Sequence, residues 1–150
     1  MSQHKAAIAW RSDGGFADNS YSRRHLWRFD GGAEVIASAS PDVVPVPLSD
    51  PAGVDPEEAL AASVASCHML WFLSLAQEAG LTIESYDDEA VAEMGRIGPG
   101  KYAIVKITLR PRIAFAEPAP GAAAIERLHH DAHERCFIAN TLNCPVVVEG

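Results

Sequence analysis

The chain has 150 residues, 48% of them hydrophobic, and a net charge of −8 with histidine neutral. This is a globular composition, long enough for a sizeable core, and a single domain over residues 1–150 is expected. The acidic balance excludes the clustered Lys and Arg of a nucleic-acid footprint and the basic patch that an anionic membrane surface attracts. Met1–Arg11 holds no apolar run of signal-peptide length, so a cytoplasmic setting is expected. In that setting three cysteines point to buried, catalytic, redox-active or metal-binding thiols, not to a static disulfide framework.

His4–Arg11 reads as a first strand, closed by a turn at Ser12-Asp13-Gly14-Gly15. Tyr21–Phe29 is a second, with Tyr21, Arg23, His25, Trp27 and Phe29 on one face. Asp30-Gly31-Gly32 is a hairpin signal, and Glu34–Ala39 returns as a third strand. Ser40–Val54 carries Pro41, Pro45, Pro47 and Pro51, which predicts an extended connector with few backbone donors.

Residues 56–79 predict a long helix. Asp55 is a good N-cap and Pro56 a good first residue. Glu57 and Glu58 put negative charge at the positive end of the dipole, and Gly80 is a natural stop. From Ala59 to Ala76 only Ser63, Ser66, His68 and Ser74 are polar. A helix apolar nearly all round must be buried nearly all round. Its small residues and charged cap argue against a membrane span. It is expected at the centre, wrapped by sheet, by other helices or by a second subunit.

Leu81–Ile97 reads as one strand, bent around Tyr86-Asp87-Asp88, and Gly98-Pro99-Gly100 as a turn. Lys101–Phe115 is the clearest strand: Val105, Ile107 and Leu109 alternate with Lys106, Thr108 and Arg110. Pro111 is expected to end regular pairing or mark a bulge. Ala119–Glu134 predicts a second helix with Ile125 and Leu128 in its apolar stripe. Arg135–Asn140 predicts a short turn and Pro145–Glu149 a last strand. The order βββ-α-ββ-α-β belongs to the α+β class.

Two cysteines stand where chemistry is conceivable. Cys67 lies inside the long helix, and Cys136 lies just past the second helix, after Arg135 and near His133. If the helices pack together the thiols could meet, and a disulfide needs Cα atoms within roughly 7 Å. Cys144, before Pro145, reads as structural or incidental. A mid-helix thiol gains little from the dipole, and burial raises its pKa, so Cys67 needs a cation from elsewhere. His68 is a poor partner, because helix neighbours point about 100° apart. Arg23 and Arg24 are the candidates, each also readable as a solvated strand arginine. Glu57 either serves the dipole or orients the arginine through a bidentate pair. Ten residues of straight helix put it about 15 Å from Cys67. One arginine could then touch both only if the helix breaks near its start or if the groups come from different subunits.

The string Asp-Pro-Glu-Glu-x-Leu-x-Ala-x-x-x-x-Cys at Asp55–Cys67, followed by Ala-His-Glu-Arg-Cys at Ala132–Cys136, resembles the OsmC/Ohr family of osmotically inducible and organic-hydroperoxide-resistance proteins. The resemblance covers nearly the whole chain. It implies an α+β homodimer in which sheets from both chains enclose the two long helices. It also implies thiol-dependent reduction of hydroperoxides, organic ones preferred. By position Cys67 matches the peroxidatic cysteine and Cys136 the resolving one, which closes an intramolecular disulfide. Glu57 matches the family glutamate, and Arg23, with Arg24 close behind, the family arginine. An external dithiol of the lipoyl type would restore the thiols, with no metal or organic cofactor required. His68-Met69-Leu70-Trp71 after the first cysteine and Phe137-Ile138 after the second set the chain apart from the best-described members.

Two other readings follow from the residues. One is a non-catalytic binding module whose apolar cavity, lined by Met69, Trp71 and Phe72, holds a lipid-like ligand. The other is a zinc site from Cys67, Cys136, His129 and His133; against it stand the lack of CxxC and HExxH spacings and the simpler reading of a solvated histidine face.

Overall fold

The computed structural model describes residues 1–149, in two units: Met1–Ala59 and the residues from Leu60 onward. In the first unit β1 (Ala6–Ala9), β2 (His25–Phe29) and β3 (Glu34–Ala37) form an antiparallel meander in the order β1-β2-β3. Trp27 faces Ile8 on one side and Val35 on the other. Gly32, at φ 89°, takes the left-handed conformation the hairpin needs, and its N–H donates to the Phe29 carbonyl at 3.0 Å.

Tyr21–Arg24, expected in the second strand, lies outside it. The Arg23 N–H donates instead to the Leu48 carbonyl at 2.8 Å, so this stretch is strapped to the proline segment. That segment is not extended. Pro41, Pro47 and Pro51 sit in successive turns, and the Val44 N–H donates back to the Ser40 carbonyl at 2.9 Å. A proline's fixed φ suits a turn as well as an extended run. The segment ends against β3, where Ala37 and Val54 form a parallel bridge.

α1 runs unbroken from Pro56 to Glu78. Its start is a capping box: the Glu58 N–H donates to Asp55 Oδ1 at 2.8 Å, and the Asp55 N–H donates to Glu58 Oε2 at 3.2 Å. Gly80, at φ 74°, follows its end.

The second unit departs from the expected strand count. Leu81–Ile97 is two strands, β4 (Ile83–Asp88) and β5 (Val91–Gly98), and Lys101–Phe115 is two more, β6 (Lys101–Leu109) and β7 (Pro111–Phe115). β4 pairs antiparallel with β7, whereas β5 pairs antiparallel with β6 in another sheet. Each long run therefore crosses from one sheet to the other. Pro111, lacking an N–H, marks one crossing. Asp88 anchors the corner by accepting the Arg110 N–H at 2.7 Å. α2 (Ala122–Arg135) follows, then a single 3-10 turn (Ala139–Thr141) and β8 (Val146–Val148), which pairs parallel with β6. The order is βββ-α-ββββ-α-β, still α+β.

Two apolar clusters hold this unit together. Phe72, Leu75 and Ala76 of α1 pack with Leu128 and Ala132 of α2, and Val64 packs with Ile107 and Leu109 of β6. The opposite face of α1 is bare. Ala62, Ser66, Leu70 and Ser74 recur every fourth residue and are exposed, Leu70 to 60%. The expectation of burial all round is not met within one chain. The helix is long and apolar enough to cross a membrane, but its packed face makes it a core helix.

Candidate functional site

α1 and α2 bring two thiols together. Cys67 sits on α1 one residue before the buried His68 and is half-buried. Cys136 is the first residue past α2, where the backbone turns extended and its N–H donates to the His133 carbonyl at 3.1 Å. It is fully buried. Burial pushes its thiol up to about 11, against the lowering effect of the Ala139 N–H, which donates to Cys136 Sγ at 3.4 Å. A hydrogen bond with the Cys67 side chain pushes it the same way as burial. That direction follows if Cys136 keeps its proton and donates it to the Cys67 sulfur. Both are free thiols. Cys144 is half-buried against the Val64–Ile107–Leu109 cluster.

Cys67 opens onto an apolar groove of about 490 Å³. Leu70, Trp71, Phe137 and Ile138 form its walls, and Ser63, Ser66 and Ser74 the α1 side. Trp71 meets Phe137 edge-on, with centroids 5.6 Å apart, and the Arg135 guanidinium lies 5.7 Å from the Trp71 ring. The expected lining of Met69, Trp71 and Phe72 is right only in Trp71: Phe72 is sealed in the core and Met69 is not part of the groove. Phe137, which flanks Cys136, lines the groove without having been expected there.

The first unit settles each arginine differently. Arg24 pairs with Asp50 and is largely exposed. Arg23 donates to Asn19 Oδ1 at 2.8 Å and to the Tyr21 carbonyl, with its guanidinium 3.7 Å from the Tyr21 ring centre. It has no carboxylate partner among the described residues. Arg23 lines a small apolar cavity with Trp10, Phe16 and Tyr21, whose rings stand 5.0–5.8 Å apart. Glu57 is half-buried. Glu58, not Glu57, completes the capping box, which leaves the Glu57 carboxylate without a cap role. Because α1 is unbroken, the first of the two routes by which one arginine could touch both Glu57 and Cys67 is closed.

The histidines are not a solvated face. His68 Nε2 and His129 Nδ1 are 3.0 Å apart, and the rings stack at 5.3 Å with 10° between planes. Burial, then the neighbouring His129 and His133, hold His68 down at about 4, and burial lowers His129 as well. Only His130 among the three on α2 is exposed. Among the described residues no three His, Cys, Asp or Glu side chains are arranged to hold a metal ion, so the zinc reading is not supported.

Comparisons with known proteins bear on this arrangement. A family profile described as OsmC-like protein matches residues 49–149. Peroxiredoxin OsmC of Escherichia coli (strain K12) is 27% identical over 97 residues, which cover 65% of this chain and 66%, just under two thirds, of that protein. Among solved structures, an OsmC-like protein of unknown function from Vibrio cholerae is 49% identical, with a TM-score of 0.96 and 99% of both chains covered. An organic hydroperoxide resistance protein from Elizabethkingia anophelis, crystallised with thiocyanate, is 17% identical at a TM-score of 0.72 and covers 99% of this chain and 93% of that one. The α+β fold is thus that of OsmC-like structures.

Proposed function

We propose, on the premise that this chain belongs to the OsmC-like protein family, that it is a thiol-dependent peroxidase reducing organic hydroperoxides to alcohols. One observation carries the reading: two free thiols meet, Cys67 of α1 on an apolar groove and Cys136 buried just past α2. Cys67, as thiolate, attacks the distal peroxide oxygen. The O–O bond breaks, the alkoxide takes a proton and leaves as the alcohol, and Cys67 becomes a sulfenic acid. The Cys136 sulfur then attacks the Cys67 sulfur, hydroxide leaves with the Cys136 proton as water, and a disulfide remains. The sum is hydroperoxide plus two thiols to alcohol, water and disulfide.

An external dithiol of the lipoyl type reduces the bridge, and a reducing cytoplasm suits three free cysteines. Arg23 is assigned to hold the Cys67 thiolate and Glu57 to orient that arginine. Arg23 is supported over Arg24 because Arg24 is already matched by Asp50. The working form is a homodimer in which Arg23 and Glu57 of one subunit serve Cys67 of the other. The apolar walls at Leu70, Trp71 and Phe137 favour an alkyl or aryl peroxide over hydrogen peroxide.

Mass spectrometry after one equivalent of cumene hydroperoxide tests the scheme. A Cys67–Cys136 bridge is expected. A bridge through Cys144 reassigns the resolving role, and full peroxide turnover by Cys67→Ser ends the proposal. The groove also favours a second reading, a non-catalytic module for an apolar ligand. That reading predicts ligand affinity unchanged in Cys67→Ser and no disulfide after peroxide.

A further inference from the structure

α2 also borders a second cavity, which shares no lining residue with the thiol groove. It holds about 710 Å³. Ile113 and Phe115 of β7, Ile125 of α2, and Val146 and Val148 of β8 give it apolar walls. His129 and His133 bring polar atoms to it from one face of α2, four residues apart. The peroxidase scheme uses none of these groups.

The hydrogen bonding fixes which way these imidazoles are protonated. His68 is 1% exposed, and its Nδ1 has no partner among the described residues. A buried lone pair without a partner is less costly than a buried N–H without one. The His68 proton therefore sits on Nε2 and is donated to His129 Nδ1, 3.0 Å away. His129, when neutral, must then carry its own proton on Nε2. Its ring cannot easily turn, being stacked on His68 and set 4.4 Å from the Phe72 ring. His133 Nδ1 is likewise buried and unpartnered, so its proton also belongs on Nε2. The cavity thus holds two imidazole N–H donors one helical turn apart, that of His129 held in place by its stacking, each asking for an acceptor.

Charge narrows the acceptor. No Lys or Arg lines the cavity, Glu126 does, and the protein is acidic at −8. An anion would meet the Glu126 carboxylate with no Lys or Arg in the lining to offset it. A carbonyl oxygen has two lone pairs and no charge, and can accept from both donors.

We propose that this cavity binds an uncharged carbonyl compound with an aliphatic chain, such as a ketone, ester or lactone. The oxygen accepts from Nε2–H of His129 and His133, and the chain lies on Ile113, Phe115, Val146 and Val148. The site is independent of the peroxide chemistry.

The test is calorimetric titration of the full-length protein with 2-nonanone, beside nonane and nonanoate, together with imidazole ¹⁵N NMR. One 2-nonanone per chain is expected, bound more tightly than either comparator. The free protein is expected to show His129 and His133 as Nε2–H tautomers whose signals move on binding. His133→Phe keeps the ring volume and removes one donor, and should weaken 2-nonanone about tenfold, the value of one hydrogen bond. Val146→Trp fills the cavity and should abolish binding, while Trp71→Ala in the thiol groove should leave it unchanged. The proposal is overturned by no binding, by nonane or nonanoate binding equally well, by loss in Trp71→Ala, or by an Nδ1–H tautomer at His129.

Discussion

At neutral pH an ordinary cysteine is mostly protonated, so Cys67 needs a cation before it can attack a peroxide. Assigning that cation to Arg23 makes the two neighbouring arginines distinguishable. Arg23→Gln should slow alkylation of Cys67 by iodoacetamide at pH 7 about tenfold, the effect of one unit of thiol pKa. Arg24→Gln, which loses only an exposed pair with Asp50, should change it by less than about twofold. Equal effects would remove Arg23 from the scheme. His68 gives a second prediction, on stability. Its ordinary pKa of 6.5 falls to about 4 in the folded chain, chiefly through burial. Between those values the unfolded chain binds a proton that the native chain refuses. His68 therefore lowers stability as pH falls from about 6.5 towards 4, and has no effect above that window. The loss by pH 4.5 is at most about 2–3 kcal/mol. Asp88, whose carboxyl burial pushes up, works in the opposite sense. Urea unfolding at pH 7 and pH 4.5 should show a smaller drop for His68→Phe than for the wild type. Parallel drops would mean that another group carries the acid sensitivity.

Elements obey the same local rules wherever the sequence made them visible. The start of α1 is one: Asp55→Ala removes an N-cap hydrogen bond from a nearly buried carboxylate and should lower stability by about 1–2 kcal/mol in urea unfolding. Glu57→Ala, which touches no orphan amide, should lower it by less than about 0.5 kcal/mol while reducing peroxidase activity. Asp55, Pro56 and Gly80 made α1 legible to within a residue, because caps and stops act through the nearest turn. The breaks near Asp88 and at Pro111 were legible as a bend and an end to regular pairing, but the change of sheet at each was not. A strand's alternation shows which side chains share a face, but not which neighbour completes its ladder. The inward turn of His129 was hidden too. Three histidines on a polar helix look solvated until the helix is packed, and only then does His68, from the facing helix, give one of them a partner. For Cys67, what the sequence left open was its cation, since no local pattern ties a residue of the first meander to one in the long helix.

The whole molecule presents more apolar surface than a lone chain comfortably exposes. Leu70 and Phe137 beside the thiol groove are 60% and 69% exposed, and Ile8 and Phe16 in the first unit are 62% and 63% exposed. A second copy is the cover we assign to them, and a twofold pairing would place the same patches on both partners. Sedimentation should then give a dimer, with Leu70→Asp shifting it towards monomer. A shared site makes a sharper demand. If Arg23 and Glu57 act on the partner's Cys67, then Arg23→Gln leaves about a tenth of the activity and Cys67→Ser none, for different reasons. In a mixed dimer one site carries both defects and the other carries neither. After unfolding and refolding an equal mixture, half of the dimers are mixed and half of their sites are whole. Activity should return to about a quarter of the wild-type level. Refolded alone, Arg23→Gln should stay at about a tenth of wild type and Cys67→Ser should stay inactive. A mixture that recovers nothing, in a protein that sediments as a dimer, would place the arginine and the thiol of each working site on the same chain.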